Sequence, residues 1–151
     1  MDWLELIPEF RDGAFLIVGA LIGYLASVAM WRRQLAEERR RRTEDHVVRA
    51  ISLCVASLTY ARAIIFAKKS GDIASLPENP VDELMAIVGL HFHEANPLVQ
   101  KLHEKQQGLF AYPASNADAA ERMLEIAREM PPIVNQLSKQ LGAIPDRFPR
   151  A

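Results

Sequence analysis

GAFLIVGALIGYLASVAMWRR, residues 13–33, decides how this chain is built: the eighteen residues from Ala14 to Trp31 carry no charge, and two arginines follow at once. As a helix this run rises about 27 Å, close to the roughly 30 Å hydrocarbon thickness of a bilayer. Gly19 and Gly23 suit a membrane helix, Trp31 falls where an interfacial aromatic belongs, and Arg32 and Arg33 close the end. A buried soluble helix of this length would need more protein around it than the remaining residues supply.

A cleaved export signal is the competing reading, because Ser27-Val28-Ala29 is a small-x-small triplet. Charge argues against it. An export signal starts positive and continues uncharged after the cut, whereas here Asp2, Glu5, Glu9 and Asp12 precede the run with only Arg11 opposing them, and six arginines follow within eleven residues. The positive-inside rule then predicts a single pass of the cell (inner) membrane, with the N-terminus outside and the C-terminal part in the cytoplasm. The first dozen residues, MDWLELIPEFRD, hold Trp3, Leu4, Leu6, Ile7 and Phe10 between acids, which fits an interfacial segment or a frayed terminus equally.

Residues 1–31 hold one basic and four acidic side chains, residues 32–69 ten and four, and residues 70–151 seven and eleven, so the net charge of −1 hides three blocks of alternating sign. Fields decay within about 8 Å at physiological salt, so the blocks matter more than the total. Cys54 is the only cysteine, which excludes an intramolecular disulfide and CxxC-type zinc or redox sites. Among Leu53, Val55 and Leu58 it reads as a small core hydrophobe. It lies 23 residues past Trp31, about 34 Å along a helix, which disfavours palmitoylation.

From Phe15 to Lys69 there is no proline, and the only glycines lie inside the span. The helix is therefore expected to leave the bilayer unbroken, as a rod over about 50 residues and about 80 Å long. Glu37 with Arg41 and Glu38 with Arg42 form favourable i, i+4 pairs. Arg32, Arg33, Arg39, Arg40, Arg41 and Arg42, with Trp31, are the candidates for lipid headgroup contact, at about 1 kcal/mol per basic residue near an anionic surface. No aromatic residues alternate with these arginines and no recognition-helix pattern accompanies them, so no nucleic-acid partner is expected.

Beyond Asp45, Val47, Ile51, Val55, Leu58, Ala61 and Ile65 recur at three and four residues, with Leu53 and Cys54 widening the face. SGDIASLPEN reads as a loop. Asn79-Pro80 then reads as an N-cap with proline at the first helical position, opening a helix with Val81, Leu84, Met85, Val88 and Phe92 on one face. Asn96-Pro97 repeats the device, so that helix is expected to kink or restart, and Leu98, Val99 and Leu102 continue the stripe. GLFAYPASN reads as the next loop, with Ser115 or Asn116 capping a last helix whose inner face holds Ala120, Met123, Leu124, Ala127 and Met130. Pro131-Pro132 is expected to interrupt its hydrogen bonding before Ile133, Val134, Leu137 and Leu141 resume. Gly142 and Pro145 end it.

These segments predict an all-α protein: a single N-terminal transmembrane helix running into a long basic helix and a small antiparallel cytoplasmic helical bundle. The expected divisions are a short outer segment (residues 1–13), the span (14–31), a basic juxtamembrane helix (32–45), the bundle (46–143) and a tail (144–151).

GLHFHEANPLVQKLHEK is the best place to look for chemistry, since His91, His93, Glu94, His103 and Glu104 are metal-capable. On a helix His91 and His93 lie about 200° apart and His103 about 18 Å from His91, and no E-x-x-H pair of the di-metal bundle kind occurs. Phosphate loops, nucleophile elbows and dinucleotide fingerprints are missing too. No catalytic residue, metal or cofactor is therefore expected. Gly19, Gly23 and Ser27 place small side chains at four-residue spacing, the pattern that lets two membrane helices approach closely.

The leading expectation is a membrane-anchored interaction module or accessory subunit of a membrane complex, meeting a protein partner or its own copy through span and bundle. A ligand or metal sensor, or small enzyme, with a site near His91–His103 is the first alternative. A small oligomerising pore former is the second, although the span has no polar face.

Overall fold

The computed structural model describes residues 6–112 and 117–144, with side chains from 17 to 112 and from 118 to 144. Among the described residues the chain is all-helical and holds no strand: α1 (Leu6–Ser70), α2 (Pro80–His91), α3 (Asn96–Ala111) and α4 (Ala117–Gly142), with single 3-10 turns at Ile73–Ser75 and His93–Ala95. The chain divides into two compact units between Arg41 and Arg42.

In the first unit α1 is unbroken, and its side chains from Ile17 to Gln34 are exposed except for half-buried Val28. That exposure runs around the whole helix and includes Ile17 (72%), Leu21, Ile22, Leu25 and Met30. Taken as a whole, α1, the helix nearest the N-terminus, is long and apolar enough to cross a membrane by length and composition. A second apolar stretch, Ala50–Ala67, belongs to the other unit and differs in kind, because only one face of it is exposed.

In the second unit the buried face of α1 follows Val47, Ala50, Cys54, Ser57, Ala61, Ile64 and Lys68, a seam of alternating three- and four-residue steps, with Leu53, Tyr60 and Ala67 buried along one side of it. This seam is rotated from the expected stripe: Val55 is 57% exposed, while Ala50 and Ser57 are fully buried. Apolar residues surround this helix, so hydropathy alone did not choose a face; small side chains mark where a neighbour comes close. Gly71, in the left-handed region at φ 78°, ends α1, and the Asp72 N–H donates to the Ala67 carbonyl at 3.0 Å, satisfying a last-turn acceptor.

The loop after α1 lies where expected, and Asn79 caps α2, its side chain accepting from the Val81 N–H at 3.1 Å. Val81, Leu84, Val88 and Phe92 are buried and Met85 packs against them. At Phe92 the backbone leaves the helix and the chain restarts at Asn96. Asn96 is not a cap, however. Its backbone is already helical (φ −56°, ψ −42°), so its side chain is not placed to fold back as that of Asn79 does from an extended backbone. α3 also reaches Ala111, so Gly108–Ala111 are helix rather than loop, drawn in by fully buried Leu109.

α4 runs through Pro131-Pro132 without the expected interruption. Both rings are exposed, so the two missing N–H groups lie on the solvent side while Met130, Ile133 and Val134 hold the opposite side in the core. Leu124, expected inside, is 45% exposed, and Ile126 packs on the core instead. The proposed caps Ser115 and Asn116 lie outside the described residues.

Cross-contacts set the directions. The His91 ring meets His46 while Glu83 meets Arg49, so α2 descends as α1 rises. The far end of α3 meets Lys68 of α1, so α3 rises again. Glu94, in the turn just before α3, and Lys105 and Gly108 along it meet Gln140, Glu129 and Ile126 in turn, so α3 and α4 form an antiparallel pair in constant register. The result is an up-down-up-down bundle around one core in which Ile64, Leu84, Leu102, Leu137 and Leu141 are fully buried. Each such side chain contributes roughly 1.5–3 kcal/mol by leaving water.

Candidate functional site

Gly19, Gly23 and Ser27 lie one turn apart on α1, all exposed. A Cβ added to either glycine would meet nothing within 4 Å, so no contact among the described residues requires glycine there. The Ser27 hydroxyl donates to the Gly23 carbonyl at 2.9 Å and is thereby satisfied within its own helix.

Trp31, Arg32 and Arg33 follow, all exposed, and no described residue pairs with either arginine. The four later arginines differ. Consecutive residues step by about 100° around a helix, so Arg39, Arg40, Arg41 and Arg42 encircle α1 rather than line one face. Arg41 is paired with Glu37 at 2.8 Å, the expected i, i+4 bridge, and Arg39, Arg40 and Arg42 are each engaged as well, as is Glu38. Among the described residues, the cations of the segment that no partner engages are the two nearest Trp31.

The histidine-rich stretch is not gathered into a site. His91 stacks on His46 with ring centroids 4.2 Å apart, His93 opens the 3-10 turn at the surface, and His103 is half-buried on α3. Among the described residues no group of three or more His, Cys, Asp or Glu side chains is placed to hold a metal ion. Cys54 is fully buried, and burial pushes its thiol up to about 12.

Sequence reading missed three polar features of the bundle. Lys68 is buried, and its ammonium donates to the carbonyls of Phe110 (2.7 Å) and Tyr112 (2.5 Å), capping the end of α3 while burial lowers its pKa. Its place in the heptad seam was the available signal. Arg49 grips Glu83 with two hydrogen bonds of 2.8 and 2.7 Å, a pair 34 residues apart that no local pattern announces. Gln106 is buried at 1% exposure with no protein partner for either amide atom, and one turn earlier the Nδ1 of His103 is also unpartnered.

No family model, curated protein or solved structure matches this chain.

Proposed function

We propose that this protein is a single-span, membrane-anchored interaction module whose helical bundle works in the cytoplasm as an adaptor or accessory subunit, without catalysis of its own. One observation carries the reading: the uncharged, all-round exposed turns from Ile17 to Trp31 are followed at once by two exposed arginines that no described residue pairs with. Lipid covers such a surface at no cost in unpaired polar groups, and basic residues hold the end of a span on the cytoplasmic side. Arg32 and Arg33 meet anionic headgroups directly, because no described residue pairs with them. Arg39, Arg40, Arg41 and Arg42 add a weaker long-range attraction, being partly compensated by neighbouring acids such as Glu37. Gly19, Gly23 and Ser27 are the face on which a second membrane helix packs, since no contact among the described residues accounts for the glycines.

The test is full-length protein with a reporter at either end, expressed in its native membrane and extracted in mild detergent. The reading expects carbonate-resistant membrane association, a cytoplasmic C-terminus, and a complex that shrinks when Gly19 and Gly23 are replaced by Leu. Release by carbonate removes the span, and an external C-terminus removes the orientation. A Gly19→Leu/Gly23→Leu complex of unchanged mass removes the glycine face.

A further inference from the structure

Among the described residues no large apolar side chain is more exposed than Phe66, at 74%. It lies on the face of α1 opposite the buried seam, one turn after Arg62 and one turn before Lys69. Neither cation has an ion-pair partner among the described residues, and from His46 to Gly71 the chain holds no acidic residue. The ridge Arg62–Phe66–Lys69 is thus basic, apolar at its centre and uncovered.

The complementary surface is in the same bundle. On α4, Asp118, Glu121 and Glu125 line a shallow recess together with Arg122 and Arg128, and exposed Leu124 stands beside it. The two surfaces lie at one level along the bundle: Lys68 reaches Phe110 and Tyr112 at the end of α3, and Gly108, just before that end, touches Ile126 of α4. Their spacings also match in opposite senses. Ascending α1, the ridge steps by four and then three residues, from Arg62 to Phe66 to Lys69; descending α4, the recess steps by four and then three, from Glu125 to Glu121 to Asp118.

We propose that this face of α1 docks on the α4 recess of a second copy of the chain, and the recess of the first copy takes the ridge of the second. Because α1 and α4 run in opposite directions, the match sets Arg62 against Glu125 of the second copy and Lys69 against Asp118. The Phe66 ring then enters between Glu121 and Arg122, whose guanidinium it meets with its face. One two-fold axis along the bundle makes both contacts at once and closes the dimer. Like-charged ridges keep two α1 faces from pairing with each other. The inference rests on the single-span reading in one respect: anchoring in one membrane confines both copies to the same membrane surface.

The experiment uses full-length protein in native membranes, with two differently tagged copies carrying Phe66→Cys and Glu121→Cys. Native Cys54 is fully buried and stays out of the reaction. Mild oxidation is expected to give a disulfide joining the two tags, and little product when either variant is expressed alone. Arg62→Glu should raise the dimer dissociation constant roughly tenfold, and adding Glu125→Arg in the same chain should restore it. Phe66→Cys cross-linking to itself, no cross-link in membrane-inserted protein, or charge reversal without effect each overturns the proposal. Fractionation of the same samples separates the two ideas: cross-linked protein found outside the membrane keeps the pairing and removes the span, whereas inserted protein without cross-link does the reverse.

Discussion

Gln106 is the residue at odds with its surroundings: an amide at 1% exposure, without a protein partner, on a helix whose neighbouring inward positions are Val99, Leu102 and Leu109. A buried polar group left unpaired costs about 1–3 kcal/mol, so Gln106→Leu is expected to raise the unfolding free energy by about 1–2 kcal/mol in urea titration. A loss of stability would mean that the amide is held by something the leucine cannot replace. Cys54 makes the opposite case, a thiol at ease in the core with its pKa pushed up to about 12. Iodoacetamide at neutral pH should therefore label it only as fast as the bundle opens, with a rate rising steeply through the denaturant transition. Rapid labelling without denaturant would contradict its buried position. The identity of Cys54 as a core residue was legible from its neighbours, whereas Gln106 was not, because a lone glutamine between apolar residues is an ordinary solvent-facing residue in sequence.

Between elements, the Arg49–Glu83 fork ties α1 to α2 and gives stability a pH dependence. Hydrogen bonding from Arg49 holds the Glu83 carboxyl below its ordinary 4.5, so the native state binds that proton less tightly than the unfolded chain. The tie is fully present above about pH 4.5 and is lost as pH falls through the lower native value. The melting temperatures of parent and Glu83→Gln should therefore differ at pH 6 and converge toward pH 3; a constant gap would show that the bond contributes through geometry alone. Within α4, exposed Pro131 and Pro132 remove two hydrogen bonds without breaking the helix. Pro132→Ala should restore one and raise stability by about 1–2 kcal/mol in thermal unfolding, net of the greater freedom of the unfolded chain. A destabilised variant would mean that the proline ring contributes packing that the alanine cannot replace. Element boundaries were readable where chemistry is local, as at Asn79-Pro80 and Gly71. They were misread where burial overrides it, at Leu109 and at Pro131-Pro132.

For the whole molecule, the division after Arg41 predicts that a fragment beginning at Arg42 carries the bundle core by itself, since Val47 through Leu141 supply the buried residues. Such a fragment should stay in solution without detergent and lose its helical circular dichroism in one cooperative transition, with Lys68→Met lowering the midpoint by uncapping α3. A gradual, non-cooperative loss would show that the bundle depends on the first unit. The sequence by itself determined the helical class, a helix apolar enough to cross a membrane and the arginines that follow it, because these depend on composition and spacing within a few turns. Only the tertiary structure decided which face of α1 the core takes, that Lys68 closes the end of α3, that Arg49 grips Glu83, and that His91 stacks on His46. Each of those joins residues tens of positions apart, and a helix that is apolar on several faces leaves the choice among them to what packs against it.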